Sequence, residues 1–517
     1  MPDLSRRKFL GTGSGALGLS VAAGLGAGRT ATGPATASFR SGPGLIASRP
    51  LDKLRRQLKG KLLVPGDRGF EAAIMPANGR YLDVIPKAAA LCADEHDVVT
   101  CVDWARRYGV DPVGRTGGHS YAGYSTTTGL VIDMGRMNSV RIDRDHGTAT
   151  VGGGALNANM FKATVDGPLF LPVGTCLPVG VGGLTLGGGI GYNSHWQGLT
   201  CDHLKASQIV TADGELLDLS PSPREHSDLF WACCGGAGGN FGLNTKFVFD
   251  LAEVPRQNVT FYRFDWRGAD AAIGVFTTFD EILATAPAEL NAVAQAQAVP
   301  VTDALGPREA ITTFCRGQYI GPSGDLYDLV RPLIANVGVP LSITITEMPF
   351  WDVQKIFASA EAEKHSFADI SRYAANSLPA AVVEDIVDLL AGCPSRSDEA
   401  NGSLWSLGWI GGPVMNSRSR TDTAYVHRGM QTMWRPTPVW PNDAPAHVGQ
   451  GLIEWTNEVI DVLRPHTPDE SYQNFPNRLI SDWKQEYYAE NYARLVRVKT
   501  RYDRGNLFRN AQSIPPL

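Results

Sequence analysis

The sequence predicts an α+β protein of more than one domain, and three observations predict it. A chain of 517 residues exceeds what one hydrophobic core usually serves. Up to about residue 252, short strand-like runs are separated by glycine-dense turns. Beyond that point longer strands alternate with helix-like stretches and the glycine turns stop.

Hydrophobic and aromatic residues make up 43% of the chain and charged residues 19%, the balance of a well-buried globular protein. A net charge of -5 gives nucleic acid or an anionic membrane nothing to attract, so a small neutral or apolar substrate is the expected partner.

Residues 1–37 read as an address. Ser5-Arg6-Arg7-Lys8-Phe9-Leu10 resembles a twin-arginine export signal and leads into a Gly/Ala-rich stretch. Ala35-Thr36-Ala37 offers a cleavage site before Ser38. That stretch is too weakly apolar for the ~20-residue span of a membrane helix, so secretion or delivery to the periplasm is expected. Gly13-Ser14-Gly15-Ala16-Leu17-Gly18 matches G-x-G-x-x-G, but no strand precedes it, and it reads as chance.

In the first domain, residues 38–252, Val98, Val102, Ala105 and Tyr108 recur at helical spacing, with Asp97 as expected N-cap and Gly109 as stop. Strands are expected at Val110 to Val113, Leu130 to Met134, Val140 to Asp143 and Ala149 to Gly152. Ile209 to Leu217 reads as a hairpin turning at Asp213-Gly214. In the second domain, 253–465, strands are expected at Val259 to Trp266, Leu341 to Thr346 and Trp405 to Gly412, and helices at Asp270 to Ala284 and Ala380 to Leu390. An antiparallel sheet backed by helices is the expected result.

Eight cysteines include no C-x-x-C pair, and no metal site is expected. Neither Cys92 with Cys101 nor Cys233 with Cys234 is an easy disulfide.

The chemistry concentrates in three turns. His119 sits in Arg115-Thr116-Gly117-Gly118-His119-Ser120-Tyr121, and Cys176 in Gly174-Thr175-Cys176-Leu177-Pro178. Gly180, Gly182, Gly183, Gly187, Gly188 and Gly191 follow, interleaved with Val181, Leu184, Leu186 and Ile190. Such glycines let backbone N–H groups approach a ligand, as cradling a pyrophosphate requires. A third turn runs from Gly235 to Gly242. Taken singly, a histidine in such a turn is more often a hydrogen-bonding loop residue and a lone cysteine more often a packing residue.

Together these motifs resemble the berberine bridge enzyme-like family of FAD-linked oxidases. The resemblance is strongest in Gly114 to Ser125, Gly174 to Asp202 and Tyr472 to Phe508, with Thr423-Ala424-Tyr425-Val426-His427-Arg428 similar to a further family segment. It implies an FAD-binding domain of the p-cresol methylhydroxylase (PCMH) and vanillyl-alcohol oxidase type, a substrate domain, and a tail, 466–517, that returns to the FAD domain.

It also implies FAD joined through its 8α-methyl to His119 and through ring carbon C6 to Cys176, both residue types being good nucleophiles. Arg115, Thr116, Gly117, Gly118, Ser120, the six glycines after Cys176, Val210 and Asn474 are the remaining cofactor-contacting positions it suggests. Tyr472 matches the family's general base. An unperturbed tyrosine titrates near ~10, so nearby donors or cations are expected to lower it. Asn474 is expected to share Tyr472's face of a strand.

The implied reaction is oxidation of a hydroxyl on a sugar, oligosaccharide or secondary metabolite, with dioxygen reduced to hydrogen peroxide. A dehydrogenase with another acceptor and an oxidative cyclase are the alternatives. Departures from the family pattern are Cys234 where an arginine is common and Asn244 where a valine is usual.

Overall fold

Three sheets account for most of the strands in the computed structural model, which describes residues 48–222, 225–358 and 365–517. The export signal, its cleavage site and the leader G-x-G-x-x-G lie outside the described residues. Among those described, no helix is long and apolar enough to cross a membrane.

The first sheet runs, in spatial order, Lys61–Leu63, Ala88–Leu91, Leu130–Asp133, Pro112–Arg115, with its last three strands parallel. Ala88, Ala89 and Ala90 are all buried, as a parallel strand covered on both faces requires. The helix Glu95–Tyr108 lays Val98, Cys101, Val102 and Ala105 on this sheet and ends at Gly109, whose φ of +62° suits glycine. Its N-cap is Asp94, not Asp97: Asp94 accepts the N–H groups of His96 and Asp97. Asp97 is buried in the first turn, where it accepts from the backbone of Lys59, Gly60 and Ala93. The expected strand at Val110 begins at Pro112 instead, and its end carries the chain into the His119 loop.

The second sheet is antiparallel, in the order Val140–Asp143, Thr148–Gly152, Leu243–Asp250, Leu204–Val210, Leu216–Leu219. The hairpin turns at Asp213-Gly214 as the dipeptide predicts, with Gly214 at φ +82°.

The third sheet has eight strands, seven of them in the order Ser342–Met348, Val259–Arg267, Ile311–Tyr319, Leu290–Ala298, Asn401–Leu407, Thr432–Trp440, Ser366–Phe367. The eighth, Arg372–Ala374, also pairs with Thr432–Trp440. Helices Ala269–Leu283, Ala380–Ala391 and Ala446–Leu463 back it. The strand expected over Trp405 to Gly412 ends at Leu407, where the chain turns at Gly408-Trp409 ahead of Gly411 and Gly412 at φ +85° and +69°.

The C-terminal segment folds back across the glycine turns. Lys499, fully buried, donates to the carbonyls of Asn240 and Phe508 and to Asp503, each at 2.6 Å. None of the eight cysteines is joined in a disulfide. Cys92 and Cys101 are buried neighbours, and their contact together with burial pushes the Cys92 thiol up.

Candidate active site

A cavity of about 320 Å³ collects the three glycine turns, the strand Thr432–Trp440 and the C-terminal segment around one space. Its wall includes Thr116, Gly117, Gly118, His119, Ser120, Cys176, Gly180, Gly182, Gly183, Tyr472 and Asn474. His119 and Cys176, 57 positions apart in sequence, thus face the same cavity.

Glycine is what lets their loops meet. A Cβ on Gly117 would lie 2.3 Å from the Pro178 carbonyl oxygen and 3.0 Å from the Gly180 nitrogen. Asn157 fixes the second loop, donating to the carbonyls of Gly174 at 3.1 Å and Cys176 at 3.0 Å. Thr116 fixes the first through the Gly153 carbonyl at 2.9 Å. Cys176 is exposed to the opening. Gly183, inside the short helix Val181–Leu186, and Gly239 in the third turn would project a Cβ into open space, with no atom within 4 Å.

Other expected positions support this wall from behind. Arg115 is buried and turned away, donating to the carbonyls of Ile74 and Met75, because its strand points that side chain beneath the sheet. Gly187 packs on Asn474 and Gly188 on the Tyr425 ring, while Gly191 abuts the Val173 carbonyl. Val210 is fully buried in the core under the first sheet.

Tyr472 is buried and lies in a turn rather than a strand, with the Phe475 N–H bonded to its carbonyl. Asn474 therefore folds back instead of sharing a strand face. Its Nδ2 donates to the Tyr472 hydroxyl at 3.1 Å and to the Leu184 carbonyl at 2.8 Å. The Gly189 N–H, aimed by residues at φ +120° and +90°, donates to the same hydroxyl at 2.9 Å. Two donors on the phenol oxygen favour phenolate, yet burial dominates and pushes Tyr472 up. The expected lowering is not found, since these donors are neutral.

Tyr121, Trp409, Arg435 and Gln473 also line the cavity. Arg435 is held by Asp369, and its guanidinium lies 4.5 Å over the Phe475 ring and reaches the Tyr121 hydroxyl at 3.4 Å. Phe475 stacks on Tyr121 at 4.9 Å. The sequence reading missed Arg435 and Trp409 because both lie in the strand-and-turn region of the large sheet, where alternation places a side chain but carries no motif. No group of residues suited to hold a metal ion occurs among those described.

A glycine-walled cavity whose lining includes a histidine, a cysteine and a hydrogen-bonded phenol suits a flavin-dependent oxidoreductase. Comparison with known proteins agrees. The FAD binding domain model matches residues 86–220 and the berberine and berberine-like model residues 471–515. An FAD-linked oxidoreductase of Bacillus subtilis is 31% identical over 474 residues, spanning 90% of this chain and 98% of that protein. A solved chitooligosaccharide oxidase superposes with TM-score 0.78 at 26% identity, over 90% of this chain and all (100%) of the other. The glucooligosaccharide oxidase of Acremonium strictum, which carries a 6-S-cysteinyl, 8α-N1-histidyl FAD, has TM-score 0.78 at 22% identity, covering 90% of this chain and 99% of its own.

The chain belongs to the berberine bridge enzyme-like family, and FAD is its cofactor. Its fold is the α+β one of PCMH-type FAD-binding oxidases. The residues fit FAD: Gly183 and Gly239 leave open space along the cavity, and His119 and Cys176 are nucleophiles on its wall.

Proposed function

We infer that this protein is an exported oxidase with FAD held at both His119 and Cys176, oxidising a hydroxyl of a sugar, oligosaccharide or hydroxylated secondary metabolite and reducing dioxygen to hydrogen peroxide. The observation that carries it is the convergence of His119, Cys176 and the Tyr472 phenol on one cavity. Bound FAD supplies a two-electron hydride acceptor. Tyr472 takes the substrate hydroxyl proton as its phenolate, so in this reading the loaded site must offset the burial that pushes the phenol up; the Gly189 N–H and Asn474 amide, which favour the phenolate, hold its oxygen in place. Asn157 holds the Cys176 loop against the wall. A cofactor tethered twice is retained in an open cleft, which suits a bulky substrate. The kinship with oligosaccharide oxidases supports a carbohydrate. Residues 38–252 with 466–517 form the flavin-binding part in this reading and 253–465 the substrate part, while Ser5 to Leu10 direct export.

Acid precipitation tests the attachment. Yellow colour should pellet with the protein, and peptides containing His119 and Cys176 should both carry flavin; colour in the supernatant refutes double attachment. Peroxide formed in air from a panel of mono- and oligosaccharides tests the reaction. Flavin bleached by a sugar but turned over only when a dye or quinone acceptor is added, with no peroxide formed in air, would refute the oxidase assignment.

A further inference from the structure

Behind the Tyr472 turn lies a buried group that the reaction above does not use. His427 is fully buried, and each ring nitrogen meets one oxygen: Nδ1 faces Glu470 Oε2 at 2.7 Å and Nε2 faces Gln473 Oε1 at 3.1 Å. The orientation of the Gln473 amide is not arbitrary. Its nitrogen contacts the Gly235 carbonyl at 2.7 Å, which can only accept, so its oxygen must be the atom facing His427. Glu470 is likewise an acceptor. Contacts with His427 and Arg420 outweigh its burial and hold it below the usual carboxylate range, and its other oxygen accepts from Arg420 at 2.7 Å.

Two acceptors on one imidazole require a hydrogen on each ring nitrogen, which makes His427 an imidazolium. Its surroundings favour that form. The Tyr373 ring stacks on it at 4.3 Å and 19°, presenting a π-face to the cation. The remaining charged or titratable neighbours are Tyr425, edge-on at 5.2 Å and hydrogen-bonded to Tyr373 at 2.8 Å, and Arg428, which is paired to Asp202. Beyond Glu470, Arg420 is also bonded to Glu490.

We propose that His427 is a positioning residue for Tyr472: bearing both ring hydrogens, it locks the Gln473 carboxamide to Gly235 and so fixes the phenol one residue back. Three segments meet in this lock, the third glycine turn, the Thr423 to Arg428 stretch and the Tyr472 turn. Tyr425 completes it, its ring 6.2 Å from that of Tyr472 and its backbone against Gly235. Removal of one ring hydrogen sets lone pair against lone pair at Glu470 or at Gln473. The weaker contact, at Gln473, then yields, and its amide can no longer serve both His427 and Gly235. The lock is therefore closed at low pH and opens as pH rises.

This inference rests on Tyr472 being the base, and the experiment separates the two. Hydrogen–deuterium exchange of the flavin-loaded protein is followed from about pH 5 to 9, with protection corrected for intrinsic exchange. Wild type should lose protection in peptides covering Gly235 to Asn240 and Glu470 to Phe475 by about five- to tenfold as pH rises, the value of one hydrogen bond. H427N should be flat at the open level across the range. Q473L, which leaves the His427–Glu470 pair intact, should be flat as well, and serves where H427N accumulates poorly. Y472F should keep the wild-type pH step.

A wild-type profile without a step, or H427N or Q473L profiles that superimpose on wild type, overturn the proposal. Bleaching of the flavin by cellobiose, or by the best sugar of the panel, is measured in parallel. If Y472F bleaches at the wild-type rate, the base assignment fails while the exchange data still decide on the lock.

Discussion

Gly117 and Gly183 make opposite demands on the site, and substituting each separates the meeting of the two loops from the space for FAD. In Gly117→Ala the new Cβ would sit 2.3 Å from a carbonyl oxygen of the Cys176 loop, where ordinary contact begins at 3.4 Å. Both neighbours are backbone, so the loops must part by about 1 Å, at a cost of ~1–3 kcal/mol, or a fall in Tm of roughly 1–3 °C for a chain of this length. His119 lies two residues from the strained point, and a misplacement of that size can slow a positioned reaction by up to ~100-fold. Doubly attached flavin should therefore form slowly and incompletely in this variant.

In Gly183→Leu the new Cβ meets nothing within 4 Å, and the change replaces glycine inside a helix, worth up to ~1 kcal/mol in its favour. The flavin-free protein should keep or raise its Tm while losing flavin, because the leucine fills the cavity. Differential scanning calorimetry and flavin-to-protein absorbance on both variants decide the matter. Wild-type Tm in Gly117→Ala, or full flavin occupancy in Gly183→Leu, refutes the reasoning at that position.

Asn474→Leu removes the donor 3.1 Å from the Tyr472 hydroxyl, and flavin reduction by substrate should slow about 10- to 100-fold, measured by anaerobic stopped flow. Burial raises Tyr472, Tyr121 and several other tyrosines, with Tyr124 and Tyr192 pushed up to about 12. The unfolded chain releases these protons first, near pH ~10, so stability is complete below that value and is lost as pH rises toward the folded values. A Tm unchanged between pH 8 and about 11 would contradict this. Lys499→Met strands the Asp503 carboxylate, fully buried, and frees two carbonyls; urea denaturation should show a loss of about 3–5 kcal/mol.

Much of the fold was legible because its signals are local. Gly109 at a helix end and Asp213-Gly214 between strands each demand one backbone shape, and the structure has it. Asp97 misled because Asp94 offers the same carboxylate one turn earlier. Asp97 satisfies backbone groups of Lys59 and Gly60, which are distant in sequence. Among site residues, the glycine loops around His119 and Cys176 declared themselves by composition. Arg115, Gly187, Gly188, Gly191 and Val210 did not separate from true wall positions, since a glycine needed for packing and one needed for a ligand look alike in sequence. The direction of the Tyr472 shift was illegible for a related reason: it depends on burial, which no local pattern encodes.

The C-terminal segment is where stability and chemistry are joined. It brings Tyr472 and Asn474 to the cavity, and the same segment is pinned by Lys499 to Asn240, itself on the cavity wall in the third glycine turn. Gln473 makes a second tie to that turn at Gly235, and Asn474 a third tie to Leu184 beyond Cys176. The phenol is thus held against glycine turns that have few side-chain contacts of their own. A turn free to approach a cofactor closely cannot hold itself rigid by side-chain packing, so rigidity has to come from outside it. The buried ion pair of Lys499, the Gln473 amide and the Asn474 amide supply it from one contiguous stretch. It follows that loosening this stretch should disturb flavin attachment as well as proton transfer, although neither His119 nor Cys176 belongs to it.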